Sequence, residues 1–381
     1  MLKGKRTRLL LSVFLLLVFI CTMFGCSNDK TASKEEPQKV YVMKYDYYTT
    51  QDNEAAAVDK WFFDEVAKRS NGRIKIEYYW AGALHKTGQH YAAVKDGLSE
   101  LSFIQYGYYM AELPISRALE WTWRPNLDSA EVAFKVANKL YNENALWQKE
   151  YEGVGLKVLY MSNFGYNTCL FKKPITALSQ LKGLKLRSFG VESDALTALK
   201  AIPLSVAAPE TYTSLERGII DGVTCFGTKA SYSMKISEIA PNIVLMKNSA
   251  LGPAAVIMNK KLWDELPADL KAIFEQVKQE LMDGKFAEIM NQAQSDGVEN
   301  WAKTGCTITQ LSDEDIQKAT EVVLPIQEKK WIDDMLKLKL MSEAEAKEFL
   351  AKVDKYAAEF SPGKTLNQYE LYQKMKKEGK I

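Results

Sequence analysis

Twice along the chain a strand-like run is followed by a helical run and then by another strand, and this alternation constrains the fold more than any other feature. The first instance opens with "VYVMKYDYY". The segment after it carries Ala56, Trp61, Phe62, Val66 and Ala67 near helical spacing and stops at Asn71 and Gly72. "RIKIEYYW" alternates as a strand with Ile74 and Ile76 on one side, "TGQHYAAVKDG" reads as a short helix stopped by Gly97, and "LSELSFIQYG" reads as the next strand. Strand, helix, strand, helix, strand implies parallel pairing beneath a cover of helices.

The same grammar returns downstream. "GLKLRSFG" is strand-like, "VESDALTALKAIP" is a helix ending near Pro203, and "LSVA" is a short strand. "PETYTSLERG" is a helix with Pro209 at its start and Gly218 at its stop, followed by the strand "IIDGVTCFG". "AAVKDGLSELSFIQ" and "TSLERGIIDGVTCF" can be laid against each other: each has a helix end, a glycine, an acid three residues later (Glu100, Asp221) and a strand. Two α/β lobes built alike are therefore expected, and 381 residues suffice for two cores. Beyond them, "KKLWDELPADLKAIFEQVKQELMDGKFAEIMNQAQSDGVENWAKTG" is strongly helical, and further helices follow, one starting at "LSDEDIQKA".

The amino terminus bears on compartment. "MLKGKRTR" is basic, the apolar run "LLLSVFLLLVFICTMF" is short for a membrane span, and "FGCS" closes it with Gly25 before Cys26. This resembles a bacterial lipoprotein signal, with Met23 and Phe24 departing from the usual pattern; an uncleaved anchor is the other reading. Under the first, residues 1–25 are removed, Cys26 is acylated, and residues 26–37 form a polar tether without core-forming residues. Taking Lys3, Lys5, Arg6 and Arg8 from the 50 basic residues leaves 46 against 48 acidic ones, formally −2. No basic run interleaved with aromatics is present, which argues against nucleic acid as a partner.

Residues for enzymatic chemistry are scarce. The two histidines, His85 and His90, are five apart, where a metal pair on a helix face wants three or four, so they are expected at the surface or the edge of a cleft. No GxSxG, HExxH, P-loop or GxGxxG occurs, and Asp313 with Asp315 and Asp333 with Asp334 read as helix-start or solvated acids. After Cys21 and Cys26 only Cys169, Cys225 and Cys306 remain, without CxxC; a Cys169–Cys225 bond stays open. No metal or cofactor is expected. Two alike lobes outside the cell, without a catalytic motif, suggest a solute-binding clamp. Nineteen Tyr and eight Trp could supply an aromatic-walled cleft.

"LKGLKLRSFG…LTALKAIPLSVAAPETYTSLERGIIDGV" resembles the signature region of the extracytoplasmic solute-binding proteins of TRAP transporters, the DctP type. The matching elements are Gly183 to Arg187, Ala195 to Ala201, Pro203, Glu210 with Tyr212, and Asp221 with Gly222. "FFDEVAKRSNGRIKIEYYWAGAL", "AAVKDGLSELSF…ELP" and "WDELPADLKAIF" resemble the family's other blocks in the right order, so the likeness runs over most of residues 38–300. It implies a two-lobed α/β periplasmic-binding-protein fold, each lobe a helix-covered mixed sheet. Residues 38–164 and 251–290 would form lobe I, and 165–250 and 291–381 lobe II. A long helix, "LWDELPADLKAIFEQVKQELMDGKFAEIMNQAQ" with Pro267 in its first turn, would span both. It implies capture of a small organic acid by lobe closure, and delivery to ion-gradient-driven TRAP permease subunits. A sensor kinase or chemoreceptor, or an ABC importer, are the rival destinations, and an extracytoplasmic hydrolase a remoter one.

Arg187 is the residue on which the reading turns. Leu184 and Leu186 should face one side of their strand, and Lys185 and Arg187 the other. Arg187 falls where the strand stops, and ligands of open α/β sheets bind at the carboxyl ends of strands. Its guanidinium could dock a carboxylate through two parallel hydrogen bonds, or could pair with an acid on a neighbouring helix. The resemblance implies the first. Where many members have a second arginine this chain has Asn167, and where they often have asparagine after Asp-Gly it has Cys225. Gln105 and Tyr108 hold strand-end positions that often carry a polar contact, and Tyr47 and Tyr48 end the first strand. Trp80, Tyr106 and Phe226 lie near strand ends, with ordinary core or rim packing open for each ring. One arginine among amides and rings suggests a monocarboxylate on an aromatic or branched body, such as a keto acid.

Overall fold

The computed structural model describes residues 39–120, 123–188, 190–247, 252–362 and 366–381. The signal, the tether and the acylated Cys26 expected for residues 1–37 lie outside them. Among the described residues no helix is long and apolar enough to cross a membrane.

The first alternation folds as read. Strand β1 (Tyr41–Asp46) leads to helix α1 (Glu54–Arg69), β2 (Ile74–Tyr79), α2 (His90–Lys95) and β3 (Leu101–Gln105). Asn53 starts α1 by accepting the Ala56 N–H at 2.9 Å. Then come α3 (Ala130–Glu143), α4 (Ala145–Glu152) and β4 (Leu156–Ser162). The second alternation gives β5 (Thr168–Phe171), β6 (Lys185–Ser188), α5 (Glu192–Ala198), β7 (Ile202–Ser205), α6 (Thr211–Glu216) and β8 (Gly222–Phe226). It continues through α7 (Thr228–Ser233), α8 (Ile236–Ile239) and β9 (Asn242–Leu245). Pro203 lies inside β7, an edge strand where its missing N–H costs no ladder bond. The chain ends with β10 (Ala254–Asn259), α9 (Lys260–Glu265), α10 (Ala268–Glu280), α11 (Phe286–Lys303), β11 (Thr307–Gln310), α12 (Asp313–Lys337), α13 (Glu343–Phe360) and α14 (Gln368–Lys377).

Two mixed sheets result, one per lobe. The first has the order β2-β1-β3-β10-β4, the second β11-β9-β5-β8-β6-β7. β1 pairs in parallel with both β2 and β3, as the alternation requires. The late strand β10 then inserts antiparallel between β3 and β4. In the second sheet β6 runs parallel to β7 and β8, while β5 is antiparallel to β8 and β9. The chain passes between sheets after β4, after β9 and, through α9–α11, after β10. Ser162 pairs with Ala254, and Thr168 with Phe226, so the first two passages lie at the strand ends from which β1, β3, β6 and β8 emerge.

The long helical region departs from expectation in two ways. Pro267 is not in the first turn of one long helix but stands before α10, separating it from α9. α10 and α11 are joined by a π-type turn at Leu281–Lys285, where Gly284 has φ +134°, open to glycine at little steric cost. α11 packs against α1 and α3 of the first lobe and α7 and α14 of the second. The other difference is α13, expected with the second lobe. It packs on α3, and its Phe349, Leu350, Val353 and Tyr356 join the cluster under the first sheet with Trp147 and Val158. That burial is worth about 1.5–3 kcal/mol per large apolar side chain.

The histidines are not both peripheral. His90 is fully buried and His85 half-buried, and both face the buried Asp46 at the end of β1 (His85 Nδ1 to Oδ2 2.6 Å, His90 Nε2 to Oδ2 3.5 Å). Among the described residues no group of three or more His, Cys, Asp or Glu is arranged to hold a metal ion. Cys169, Cys225 and Cys306 are buried free thiols.

Candidate functional site

The strand ends of the two sheets line a cavity of about 40 Å3 that is partly open to solvent. From the first lobe come Tyr48, Thr49, Thr50 and Asn53 after β1, Gln105 and Tyr108 at and after β3, and Phe164 after β4. From the second come Arg187, Ala208, Cys225, Phe226 and Gly227, with Ala230, Ser233 and Met234 from α7 and just beyond it. Arg187 is the only charged residue among the described residues lining it.

Arg187 is 2 % exposed. Its Nε donates to the Val206 carbonyl at 3.0 Å and its Nη1 to the Cys225 carbonyl at 2.7 Å. The guanidinium carbon lies 5.4 Å from the centre of the Phe226 ring, within cation–π range. Three strands of the second sheet thus set one side chain: β6 carries it, and the ends of β7 and β8 hold it. Leu186 is buried on the opposite face and Lys185 is exposed at the strand's start.

The first lobe supplies rings and amides. Tyr48 Oη donates to Gln105 Oε1 at 2.6 Å. Tyr47 stacks on Tyr48 with centroids 5.6 Å apart, and Tyr108 and Phe164 meet Tyr48 edge-on at 5.4 and 6.0 Å. Gly252, at φ +53°, leaves room for this arrangement: a Cβ there would come within 2.1 Å of Gln105 Nε2. Burial pushes the Tyr48 and Tyr108 phenols up, with Arg187 opposing in both cases, and burial does the same to the Cys225 thiol. These groups are neutral donors at ordinary pH.

The structure brings together six of the ten expected ligand residues: Arg187, Gln105, Tyr108, Tyr48, Cys225 and Phe226. Four stand behind the wall. Tyr47 is fully buried with Oη on Asn53 Oδ1 at 3.2 Å. Tyr106 turns into the first lobe's core and donates to the Ala254 carbonyl at 3.0 Å. Trp80 stacks on Tyr78 and meets Tyr47 edge-on at 5.5 Å. Asn167 is buried and accepts the Cys225 N–H at 3.1 Å. Sequence reasoning missed Asn53, Phe164, Gly227 and the α7 residues. Phe164 had a signal, since it follows a strand-like block; α7 had none.

At the rim the lobes touch directly. Glu54, at the start of α1, accepts the backbone N–H of Lys229. Lys229 Nζ lies 2.8 Å from Asp52 Oδ1, and Ser233 Oγ donates to the Asp52 carbonyl at 3.0 Å. A Cβ on Gly227 would come within 2.7 Å of Glu54 Oε2. On the other flank Glu120 lies against Gly190, whose added Cβ would clash with it, and faces the Val191 N–H. Burial raises Glu54 to about 7 and Glu120 to about 8.

Two sheets facing one another across a cavity lined by a single charged residue define a two-lobed solute-binding protein. The profile described as "Bacterial extracellular solute-binding protein, family 7" (DctP) matches residues 46–334, and the chain belongs to that family. It is similar to a TRAP solute-binding protein of Rhodoferax ferrireducens crystallised with copurified benzoate (23 % identity, TM-score 0.74), over 85 % of this chain and 99 % of that one. A solute-binding protein of Sulfitobacter sp. is 28 % identical over 46 % of this chain, an alignment spanning about half (53 %) of that relative. The C4-dicarboxylate-binding periplasmic protein DctP of Rhodobacter capsulatus is 26 % identical over 58 % of this chain and 66 % of its own length.

Proposed function

We propose that the protein captures a small carboxylate between its lobes outside the cytoplasm and hands it to the membrane subunits of a TRAP permease. The observation that carries this reading is Arg187, a guanidinium held by two backbone carbonyls at the wall of the interlobe cavity. A planar fork of donors fixed in advance loses little entropy on meeting a carboxylate. The preferred ligand is a monocarboxylate with an aromatic or branched body. One lining cation balances one carboxylate, and Tyr48, Tyr108, Phe164 and Phe226 offer ring faces and edges to an apolar body. The benzoate of the Rhodoferax relative fits this chemistry, whereas a dicarboxylate, as in the name of the Rhodobacter relative, would bring a second charge. Closure turns on the joint around Gly284, and the bound acid leaves unchanged, without catalysis. The amino-terminal run supports export and a lipid tether through Cys26.

A thermal-shift panel of mono- and dicarboxylates tests the reading. A ligand at a hundred times its Kd stabilises by about 2.7 kcal/mol. Stabilisation by benzoate and branched 2-oxoacids is expected. Stabilisation by dicarboxylates alone would overturn the monocarboxylate assignment, and silence across the panel would overturn carboxylate capture itself. Mass spectrometry of the membrane-associated protein reads Cys26: an unmodified full-length amino terminus would end the tether proposal.

A further inference from the structure

The ladder between β5 and β8 breaks its register at one place. Thr168 pairs with Phe226 and Leu170 with Val223, so Cys169 alone stands opposite both Thr224 and Cys225. This is a β-bulge, and its second residue, Cys225, has φ +61°. Left-handed backbone disfavours a residue with a Cβ and persists only where its surroundings hold it. Its neighbours hold it. Asn167, one residue before β5, accepts the Cys225 N–H through Oδ1 at 3.1 Å. Thr224 Oγ1 donates to the Arg187 carbonyl at 3.1 Å, tying the other bulge residue to β6. The turned Cys225 peptide then presents its carbonyl to Arg187 Nη1 at 2.7 Å.

We propose that Asn167 is a positioning residue of the binding site: it keeps the Cys225 bulge in its left-handed form, and the bulge in turn aims Arg187 into the cavity. Asn167 is not among the residues lining that cavity; its influence passes through one peptide unit to the guanidinium. Where an extra strand residue would otherwise leave an N–H without a ladder partner, a side-chain amide replaces the ladder.

The first test needs no ligand. In the 1H–15N spectrum of the full mature chain at low temperature, the Arg187 Nη1–H that donates to the Cys225 carbonyl should be resolved and slow to exchange. Asn167→Leu, similar in shape but unable to accept, should speed its exchange at least about tenfold. Asn167→Asp, which still accepts, should keep it slow. Asn167→Leu with Cys225→Gly should recover much of the protection, because glycine adopts positive φ without the Cβ penalty. Should the leucine variant not fold, Asn167→Ser with and without Cys225→Gly is read the same way. An unchanged Arg187 signal in a folded Asn167→Leu or Asn167→Ser protein overturns the assignment, as does loss of the signal in Asn167→Asp.

The second test rests on the carboxylate reading and uses benzoate. Asn167→Leu should weaken benzoate binding about tenfold, and should have no further effect once Arg187 is alanine, since the two act in series. Equal losses in both backgrounds would overturn the relay. A wild-type protein that ignores benzoate would count against the ligand reading, while the exchange experiment still decides the role of Asn167.

Discussion

Gln105 and Arg187 hold comparable places. Each stands at or next to the end of a strand with a parallel neighbour, and each lines the same cavity from opposite sides. They are held differently. Gln105 accepts from a neighbouring side chain, Tyr48, inside a nest of rings on the first lobe. Arg187 is held by backbone carbonyls at the ends of two strands, Val206 after β7 and Cys225 in β8, on a wall that also carries the small residues Ala208, Gly227 and Ala230. One wall gives shape and the other gives charge. Charge needs the stiffer mounting, because a misaimed guanidinium in a dry site loses both its hydrogen bonds and its hydration, whereas a ring can shift slightly and still make contact.

The largest effect expected from this contrast is at Arg187. Arg187→Ala should cost about 3–5 kcal/mol of carboxylate affinity by calorimetry, because the bound anion is left without its buried partner. Arg187→Lys should recover little, lacking the planar fork. If the alanine variant bound the same acid unchanged, the division of labour between the walls would be wrong.

The next effect concerns the acids that cross between the lobes. Glu54 and Glu120 bind their protons more tightly folded than unfolded, at about 7 and about 8 against an ordinary 4.5, chiefly through burial. Their stabilising contribution is therefore complete below about 4.5 and is lost as the pH rises through 7 and 8. Lys229, Asp52, Arg117, Glu192 and Asp194 surround them, and Glu192 is itself raised to about 8. The melting temperature should fall between pH 5 and 8.5. Glu54→Gln, which keeps an acceptor for the Lys229 N–H, should flatten that fall by about 2–4 °C. An identical pH profile in the variant would show that Glu54 meets the second lobe only as a neutral contact.

How much of this was legible in the sequence follows the range of the interactions. The two alternations, α1 with its Asn71-Gly72 stop and the strand bearing Arg187 are local and were readable. The return of residues 251–290 to the first lobe came only with the family resemblance, and β10 as an antiparallel strand between β3 and β4 was not readable, because its pairing partners lie far back along the chain. α13 was misassigned for the same reason: its apolar face says that it packs, not on which sheet. Within the site, Arg187, Gln105 and Tyr48 followed from strand ends. Tyr106 could not be sorted from Tyr108 by position, since a single turn after β3 sends one ring into the core and the other into the cavity. Asn167 was noticed for the arginine it replaces, while its backbone contact needed the bulge.

A smaller effect tests the shape-giving wall. Tyr48→Phe keeps the ring and its stack on Tyr47 and removes the 2.6 Å bond to Gln105. About 1 kcal/mol of affinity should go, roughly fivefold in Kd, because the Gln105 amide loses its fixed orientation. A loss as large as that of Arg187→Ala would mean that the first lobe, too, recognises the ligand through a specific polar group.

The smallest effect is at the rim. Lys229 and Asp52 form an ion pair across the lobes at 2.8 Å, with side chains 23 % and 54 % exposed. Water and salt screen a pair so placed, and holding a long lysine side chain in one geometry costs entropy, so Lys229→Ala should weaken ligand binding by about 0.2–1 kcal/mol. The backbone N–H of Lys229 survives the substitution and continues to meet Glu54, which keeps the larger interlobe contact in place. Raising the ionic strength shortens the screening length from about 8 Å at 0.15 M to about 3 Å at 1 M, so the difference between wild type and variant should shrink towards zero in high salt. A gap that persisted there would mean that the lysine acts through its buried stem against α1, and that the rim resembles the first wall's packing more than the second wall's charge.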